Sequence, residues 1–391
     1  MKTPIAITSI ASFSALGKTA AEVWNDYLNP KTHIVEKTIE VGTFLVAPIS
    51  ETLVNEVQAL RNSDTKYKAL DNSVLYAILA ARETVKKAGW SDALFGINIG
   101  SSRGATHLFE KHHQEFLATG KTPTLASPTT TLGNISTWVA HDLKSDGPEL
   151  SHSITCSTAL HAVLNGIAWL QAGMADKFLV GGSEAPLTAF TIAQMQSLKI
   201  YANSKNYPPE PIEWPCRALD LDKTKNSMVL GEGAAMACLA LGEQKNALAY
   251  IIGFGYATDD LQHSISITDE AECFQKSMKM ALQHTALDEV DAVVMHAPGT
   301  IKGDKSEYKA IQKVFGENLP MLTSNKWKIG HTFGASGMLS LELAVLMLQH
   351  QQFIGVPFVS EKNPRKAIRN VIVNAVGFGG NAVSILLSSR F

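Results

Sequence analysis

Thr155-Cys156-Ser157-Thr158-Ala159-Leu160-His161-Ala162, followed by Phe178-Leu179-Val180-Gly181-Gly182, decides the fold, because the same order of features returns later in the chain. The second occurrence reads Gly330-His331-Thr332-Phe333-Gly334-Ala335-Ser336-Gly337, then Val371-Ile372-Val373-Asn374 and Gly377-Phe378-Gly379-Gly380. Each is a polar or glycine-containing turn entering a helix of small residues, and each is followed by a β-branched run ending in glycine. The pattern predicts an internal duplication with an N-terminal half at 1–245 and a C-terminal half at 246–391.

Outward from these stretches, short apolar runs at 178–182, 248–253 and 292–296 alternate with longer periodic segments at 159–172 and 339–349. That alternation predicts an α/β architecture with covered sheets. The opening reads as a first strand and its turn, from Ile5-Ala6-Ile7 to Ala15-Leu16-Gly17. A secretory signal does not fit there, because Pro4, Thr8, Ser9, Ser12 and Ser14 interrupt the apolar run. No low-complexity tract separates the halves, so they are expected to pack as one body.

With 45% apolar and 18% charged residues, a chain of 391 residues can bury a large core. A formal net charge of -2 supplies no global field for nucleic acid or an anionic membrane, so an acidic partner has to meet a local basic patch. No run approaches the roughly 20 apolar residues of a membrane span. The expectation is a soluble, cytoplasmic protein with neither a nucleic-acid partner nor a membrane span.

Cys156, Cys216, Cys238 and Cys273 lie far apart with no C-x-x-C pair, which suggests neither a zinc site nor a disulfide framework. Cys156 is expected in the first turn of a buried helix, where unpaired amides and the dipole stabilise a thiolate. A plain core cysteine is the commoner fate of such a residue; the polar neighbours Thr155, Ser157 and Thr158 favour the reactive reading. The other three cysteines are assigned structural roles. Among the histidines, His112 and His113 lie in a polar stretch and His161 is expected to pack. His296 closes an apolar run and precedes the turn Ala297-Pro298-Gly299-Thr300, a position from which side chains line crevices in α/β sheets. His331 occupies in the second half the place of Cys156 in the first. Lys326 and Glu307 could form an ion pair that orients the two imidazoles; taken alone, each reads as a surface charge.

These residues add up to a pattern that resembles the β-ketoacyl-(acyl carrier protein) synthases of the thiolase superfamily, over nearly the whole chain. Ile154-Thr155-Cys156-Ser157-Thr158-Ala159 is similar to their nucleophile segment, and Leu230-Gly231-Glu232-Gly233-Ala234 to a G-E-G-A stretch. His296-Ala297-Pro298-Gly299-Thr300 takes the place of H-G-T-x-T, with Gly303-Asp304 and Glu307 at the family spacing. Lys326, Gly330-His331 and Gly334-Ala335-Ser336-Gly337 match K-x-x-x-G-H-x-x-G-A-x-G, and Gly377-Phe378-Gly379-Gly380 matches G-F-G-G.

The resemblance implies a five-layer α-β-α-β-α body made of two duplicated halves, usually dimeric. It implies a Cys-His-His set of the elongating, decarboxylating branch. Cys156 would carry an acyl group, the amides of Cys156 and Phe378 would form an oxyanion hole, and His296 and His331 would bind the enolate oxygen. Lys326 and Glu307 would orient them, while Thr300, Phe378 and Gly379 would contact substrate. The implied partners are an acyl carrier protein, with Lys199 as a docking residue and Arg365 and Lys366 as weaker candidates, and a second ketosynthase-like chain in a homodimer or heterodimer. No metal or organic cofactor is expected, because a thioester is already activated.

Four departures stand out: Ala297-Pro298 in place of Gly-Thr, Val376 where an aromatic residue is common, Asn381 in place of threonine, and Ser340 in place of a glutamate. They favour a specialised polyketide or aryl polyene pathway over housekeeping fatty-acid synthesis. The rivals are a non-catalytic, chain-length-factor-like subunit, disfavoured by Cys156, and a thiolase, disfavoured because no cysteine lies in the last hundred residues.

Overall fold

The computed structural model describes residues 3–40, 42–90, 94–132, 134–202, 213–260, 268–360 and 367–391. Its strands are β1 (Ile5–Ser14), β2 (Val35–Ile39), β3 (Gly42–Ala47), β4 (Gly96–Gly100), β5 (Glu149–Leu150), β6 (Lys177–Glu184), β7 (Leu230–Gly231), β8 (Gly233–Leu241), β9 (Ala249–Thr258), β10 (Ala292–Val294), β11 (Met321–Thr323), β12 (Asn370–Gly377) and β13 (Asn381–Ser388). The opening is therefore a strand, as its interrupted apolar run indicates.

Ten strands form one sheet in the order β11-β10-β12-β13-β9-β1-β8-β6-β4-β5. Read inward from its two ends, the halves are β5-β4-β6-β8-β1 and β11-β10-β12-β13-β9. Both carry the same directions: parallel pairs at the outer three strands, then antiparallel pairs to the centre. The two halves of the sheet thus repeat one order of strand directions. The halves are stitched where Ile5, Ala6 and Ile7 of β1 pair with Ile251, Tyr250 and Ala249 of β9.

Helices complete five layers. Asn72–Ala88 and Asn134–Leu143 cover the outer face of the first half-sheet in one apolar core. Glu272–Ala281 and Ile301–Phe315 cover the outer face of the second in another. Between the half-sheets lie Thr158–Gln171 and Ser336–His350, in a core drawing on both halves. Every residue from Ser336 to Leu348 is buried, the mark of a helix with protein on all sides. Small residues let this middle layer close. A Cβ at Gly166 would stand 2.7 Å from the Val180 side chain, and one at Gly337 would stand 2.7 Å from that of Leu160. The second contact brings the starts of the two central helices together, and the candidate residues precede those starts. Among the described residues no helix is long and apolar enough to cross a membrane.

Candidate active site

Cys156 stands two residues ahead of its helix, which begins at Thr158 with Ser157 as its cap residue, and not in the first turn. The Thr158 hydroxyl explains the displacement: it accepts from the Ile154 amide (2.9 Å) and donates to the Thr155 carbonyl (2.6 Å). That closes a tight turn with Thr155 in the left-handed region, at φ 47°. The end of β12 lies against this turn, since a Cβ at Gly377 would be 1.7 Å from Thr155 Oγ1. Glycine there lets the Phe378 peptide approach, and Thr155 Oγ1 donates to the Phe378 carbonyl at 3.4 Å. Gly377→Ala is therefore expected to push the two turns apart, lowering stability by about 1–3 kcal/mol in a denaturant titration and slowing any acylation of Cys156.

Cys156 is buried. Burial pushes its thiol up to about 12, with the Glu184 charge acting the same way against Lys326, the cysteine's own amide and Arg103. The resting group is thus a thiol, where the helix start alone suggested a thiolate. Its alkylation by iodoacetamide is expected to keep rising from pH 6 to 10; a plateau below pH 8 would contradict the assignment.

His296 lies just past β10, and the turn holding it is built by the next helix. Glu307 accepts from the amides of His296 (3.0 Å) and Ala297 (2.9 Å), and Asp304 from that of Gly299 (3.0 Å). These carboxylates lie three residues apart on Ile301–Phe315, so they share a face. Together they hold a turn in which Ala297 has φ 20° and Gly299 has φ 93°. Glu307 is held in turn by Asn374 at 3.2 Å, and Asp304 by the buried ammonium of Lys223 at 2.7 Å. Thr300 caps the helix, its hydroxyl accepting from the Gly303 amide at 3.2 Å.

His331 follows Gly330, whose φ is 66°, and precedes a short 3-10 turn, Phe333–Ala335, before the Ser336 helix. Its amide donates to the Val229 carbonyl at 2.6 Å, and its carbonyl accepts from Gly231 at 3.1 Å. The G-E-G-A stretch thus anchors the second histidine. Nδ1 lies 3.2 Å from the Ser336 hydroxyl. The rings of His296 and His331 meet edge to face, with centroids 5.1 Å apart.

The Lys326–Glu307 ion pair does not form. Lys326 Nζ donates to Asn325 Oδ1 (2.9 Å) and Ser340 Oγ (3.0 Å), while both Glu307 oxygens are taken by amides. Neither group hydrogen-bonds to an imidazole; Lys326 acts on them through its field. Burial pushes His331 down to about 3, reinforced by Lys326. His296 is driven well below its ordinary range by burial, His331 and Lys326. Both rings are therefore neutral at pH 7, and each carries an N–H. Burial also brings Lys326 down to about 8 and Glu307 up to about 7.

A cavity of about 350 Å³ unites these groups: Cys156, His296 and His331 line it with Thr300, Phe378 and Val376. Met195, Ile200, Met228 and Phe333 supply apolar wall. Gly379 is not part of the lining; at φ 95° it makes the turn between β12 and β13. Exposed Lys199 adjoins the cavity lining, its carbonyl accepting from Asn226, itself a lining residue. Arg365 and Lys366 lie outside the described residues. Ser336, Ser340, Asn325 and Asn374 escaped the sequence reading, and only Ser340 carried a signal there, as a departure. Cys216, Cys238 and Cys273 are buried free thiols. His161 packs with Nδ1 3.1 Å from the Ser157 carbonyl. His113 is exposed and His112 half-buried.

Residues 2–245 match the family described as "Beta-ketoacyl synthase, N-terminal domain", and residues 248–357 match its C-terminal domain. A curated relative from Coxiella burnetii, 3-oxoacyl-[acyl-carrier-protein] synthase 2, is 28% identical over 433 aligned positions, covering 100% of this chain and 99% of its own. The protein of the same name from Staphylococcus aureus is 27% identical, covering 97% of each chain. Among solved structures, the ishigamide ketosynthase/chain length factor superposes with a TM-score of 0.84 at 20% identity, covering 100% of both chains. A ketosynthase in complex with its chain length factor from Xenorhabdus doucetiae superposes at 0.80 and 20% identity, covering 99% of this chain and 98% of its own. With both family domains matched in order along a chain whose fold repeats in the same two halves, the protein belongs to the β-ketoacyl synthase family.

Proposed function

We propose that this chain is a carrier-dependent β-ketoacyl synthase, an acyltransferase that forms a carbon–carbon bond by decarboxylative Claisen condensation. The observation that carries the reading is a single cavity lined by Cys156 and by two neutral imidazoles set edge to face. In the first half-reaction the Cys156 sulfur attacks the acyl thioester of a carrier's pantetheine arm. The new S–C bond replaces the carrier's, and the thiol proton leaves on the carrier sulfur. The amides of Cys156 and Phe378 receive the oxyanion, an assignment supported by the close approach of Gly377 to Thr155.

In the second half-reaction a malonyl carrier loses CO₂, and the electron pair of the broken C–C bond enters the thioester as an enolate. His296 and His331 donate N–H to the enolate oxygen. The Ser336 hydroxyl lies 3.2 Å from Nδ1 of His331, and with the hydroxyl as donor the ring's hydrogen sits on Nε2, the tautomer this role requires. Lys326 adds positive charge that favours the enolate and keeps the rings from protonating, so Lys326 and Glu307 are positioning residues. The enolate carbon attacks the acyl-cysteine, the C–S bond breaks, Cys156 regains a proton, and the β-ketoacyl product leaves on its carrier. The thioester supplies the activation, so the steps call on no organic cofactor.

The partners proposed are a cytoplasmic acyl carrier protein, met in part by Lys199, and a second ketosynthase-like chain. The helix Thr106–Thr119 exposes Phe109 by 63% and Leu117 by 71%, apolar surface that a second chain would cover. The Ala297-Pro298 turn and Val376 both line or adjoin the cavity and favour an unusual primer, of the polyketide or aryl polyene kind. The test supplies malonyl carrier with saturated or polyene acyl carriers and weighs the products. Faster β-ketoacyl formation from the polyene primer supports the pathway, equal or faster use of saturated primers removes it, and no product from any primer removes the enzyme.

A further inference from the structure

One fully buried carboxylate takes no part in the proposed reaction. Glu184 ends β6 and is completely buried. Its Oε1 accepts from the amides of Ser102 and Arg103, in the loop after β4, and from that of Gly334 at 3.1 Å. Its Oε2 is buried with no hydrogen-bond partner among the described residues. The fit is close, since a Cβ at Gly334 would stand 2.7 Å from Oε1.

We infer that Glu184 is a positioning residue that fixes the Phe333 turn beside His331 and sets a buried carboxylate next to the apolar cluster that holds Cys156; the inference rests on the ketosynthase reading for its catalytic meaning. Phe333 has φ 42°, a left-handed conformation that is unfavourable for a residue with a side chain. Such a turn persists where its surroundings over-determine it, and the Gly334 amide bond to Glu184 is the adjacent restraint. Phe333 shares an apolar cluster with Cys156, Met195 and Met228, and its ring centroid is 5.5 Å from that of His331. The Arg103 guanidinium lies 5.9 Å from the ring, and it also donates to Thr191 and Gln194 on the helix that carries Met195. One carboxylate therefore ties the loop after β4 to the turn after His331, and with it the Phe333 wall of the cavity.

The charge has a separate consequence. Burial raises the Glu184 carboxyl to about 7 against the amides of Ser102, Gly334 and Arg103, and its charge opposes thiolate formation at Cys156. As Glu184 ionises above pH 7, it restrains the thiol.

The test compares Cys156 alkylation by iodoacetamide from pH 6 to 10 in the full chain and two variants. Glu184→Gln keeps an oxygen for the three amides and removes the charge. Its alkylation is expected to run about tenfold faster than wild type above pH 8, the size of a one-unit shift in thiol ionisation, with the two profiles converging below pH 7. Glu184→Asp keeps the charge but shortens the reach; it is expected to follow the wild-type profile while losing melting temperature. A folded Glu184→Gln protein with the wild-type profile overturns the inference, as does a Glu184→Asp profile that moves with that of the glutamine variant. Alkylation needs neither carrier nor acyl group, so a failure here is distinguishable from failure of the ketosynthase reading.

Discussion

Cys156→Ala is expected to abolish condensation, with a fall of roughly 10⁴-fold or more in product formation, while decarboxylation of a malonyl carrier continues. The split follows from where the groups sit. Cys156 belongs to the turn before the first central helix, whereas His296 and His331 are held by Glu307, Asp304 and the Val229–Gly231 segment. Removing one sulfur leaves those anchors untouched, so the enolate can still form and be quenched by a proton. Product analysis by mass spectrometry, with released CO₂ measured alongside, checks both arms. Parallel loss of the two activities would mean that Cys156 takes part in decarboxylation as well.

His331→Ala reverses the pattern. One of two N–H donors to the developing enolate is removed, and loss of such a donor in a water-excluded site costs on the order of 10²–10³-fold in rate. Decarboxylation and condensation are both expected to fall by that factor, with acylation of Cys156 retained. His331→Asn, which keeps an N–H donor, is expected to recover part of the loss. Equal activity of the alanine and asparagine variants would assign His331 a packing role, since its ring also packs at a tilt against Phe333.

Much of this was legible in the chain itself, and what was not has identifiable reasons. Cys156 and His331 stand before helices whose small residues, Ala159 and Gly337 among them, mark a crowded centre. That made the duplication readable, and the strand order repeats it. The join through β1 and β9 was not readable, because an antiparallel seam of three residue pairs leaves no periodicity of its own. Glu307 was placed at the right spacing and given the wrong partner: eleven residues from His296 it could reach the ring or the backbone, and the left-handed Ala297 turn decides for the backbone. Lys326 was drawn towards Glu307 by charge alone, but Ser340, one helical turn past Ser336, and Asn325 meet it first. The protonated state of Cys156 depends on burial and on Glu184, which is distant in sequence and arrives only with the fold.

The central claim is that this chain itself carries the acyl group, and intact-protein mass spectrometry after incubation with acyl-carrier thioesters tests it most directly. The prediction is one acyl adduct on the wild-type chain and none on Cys156→Ala. An adduct on neither protein, or the same adduct on both, would contradict it.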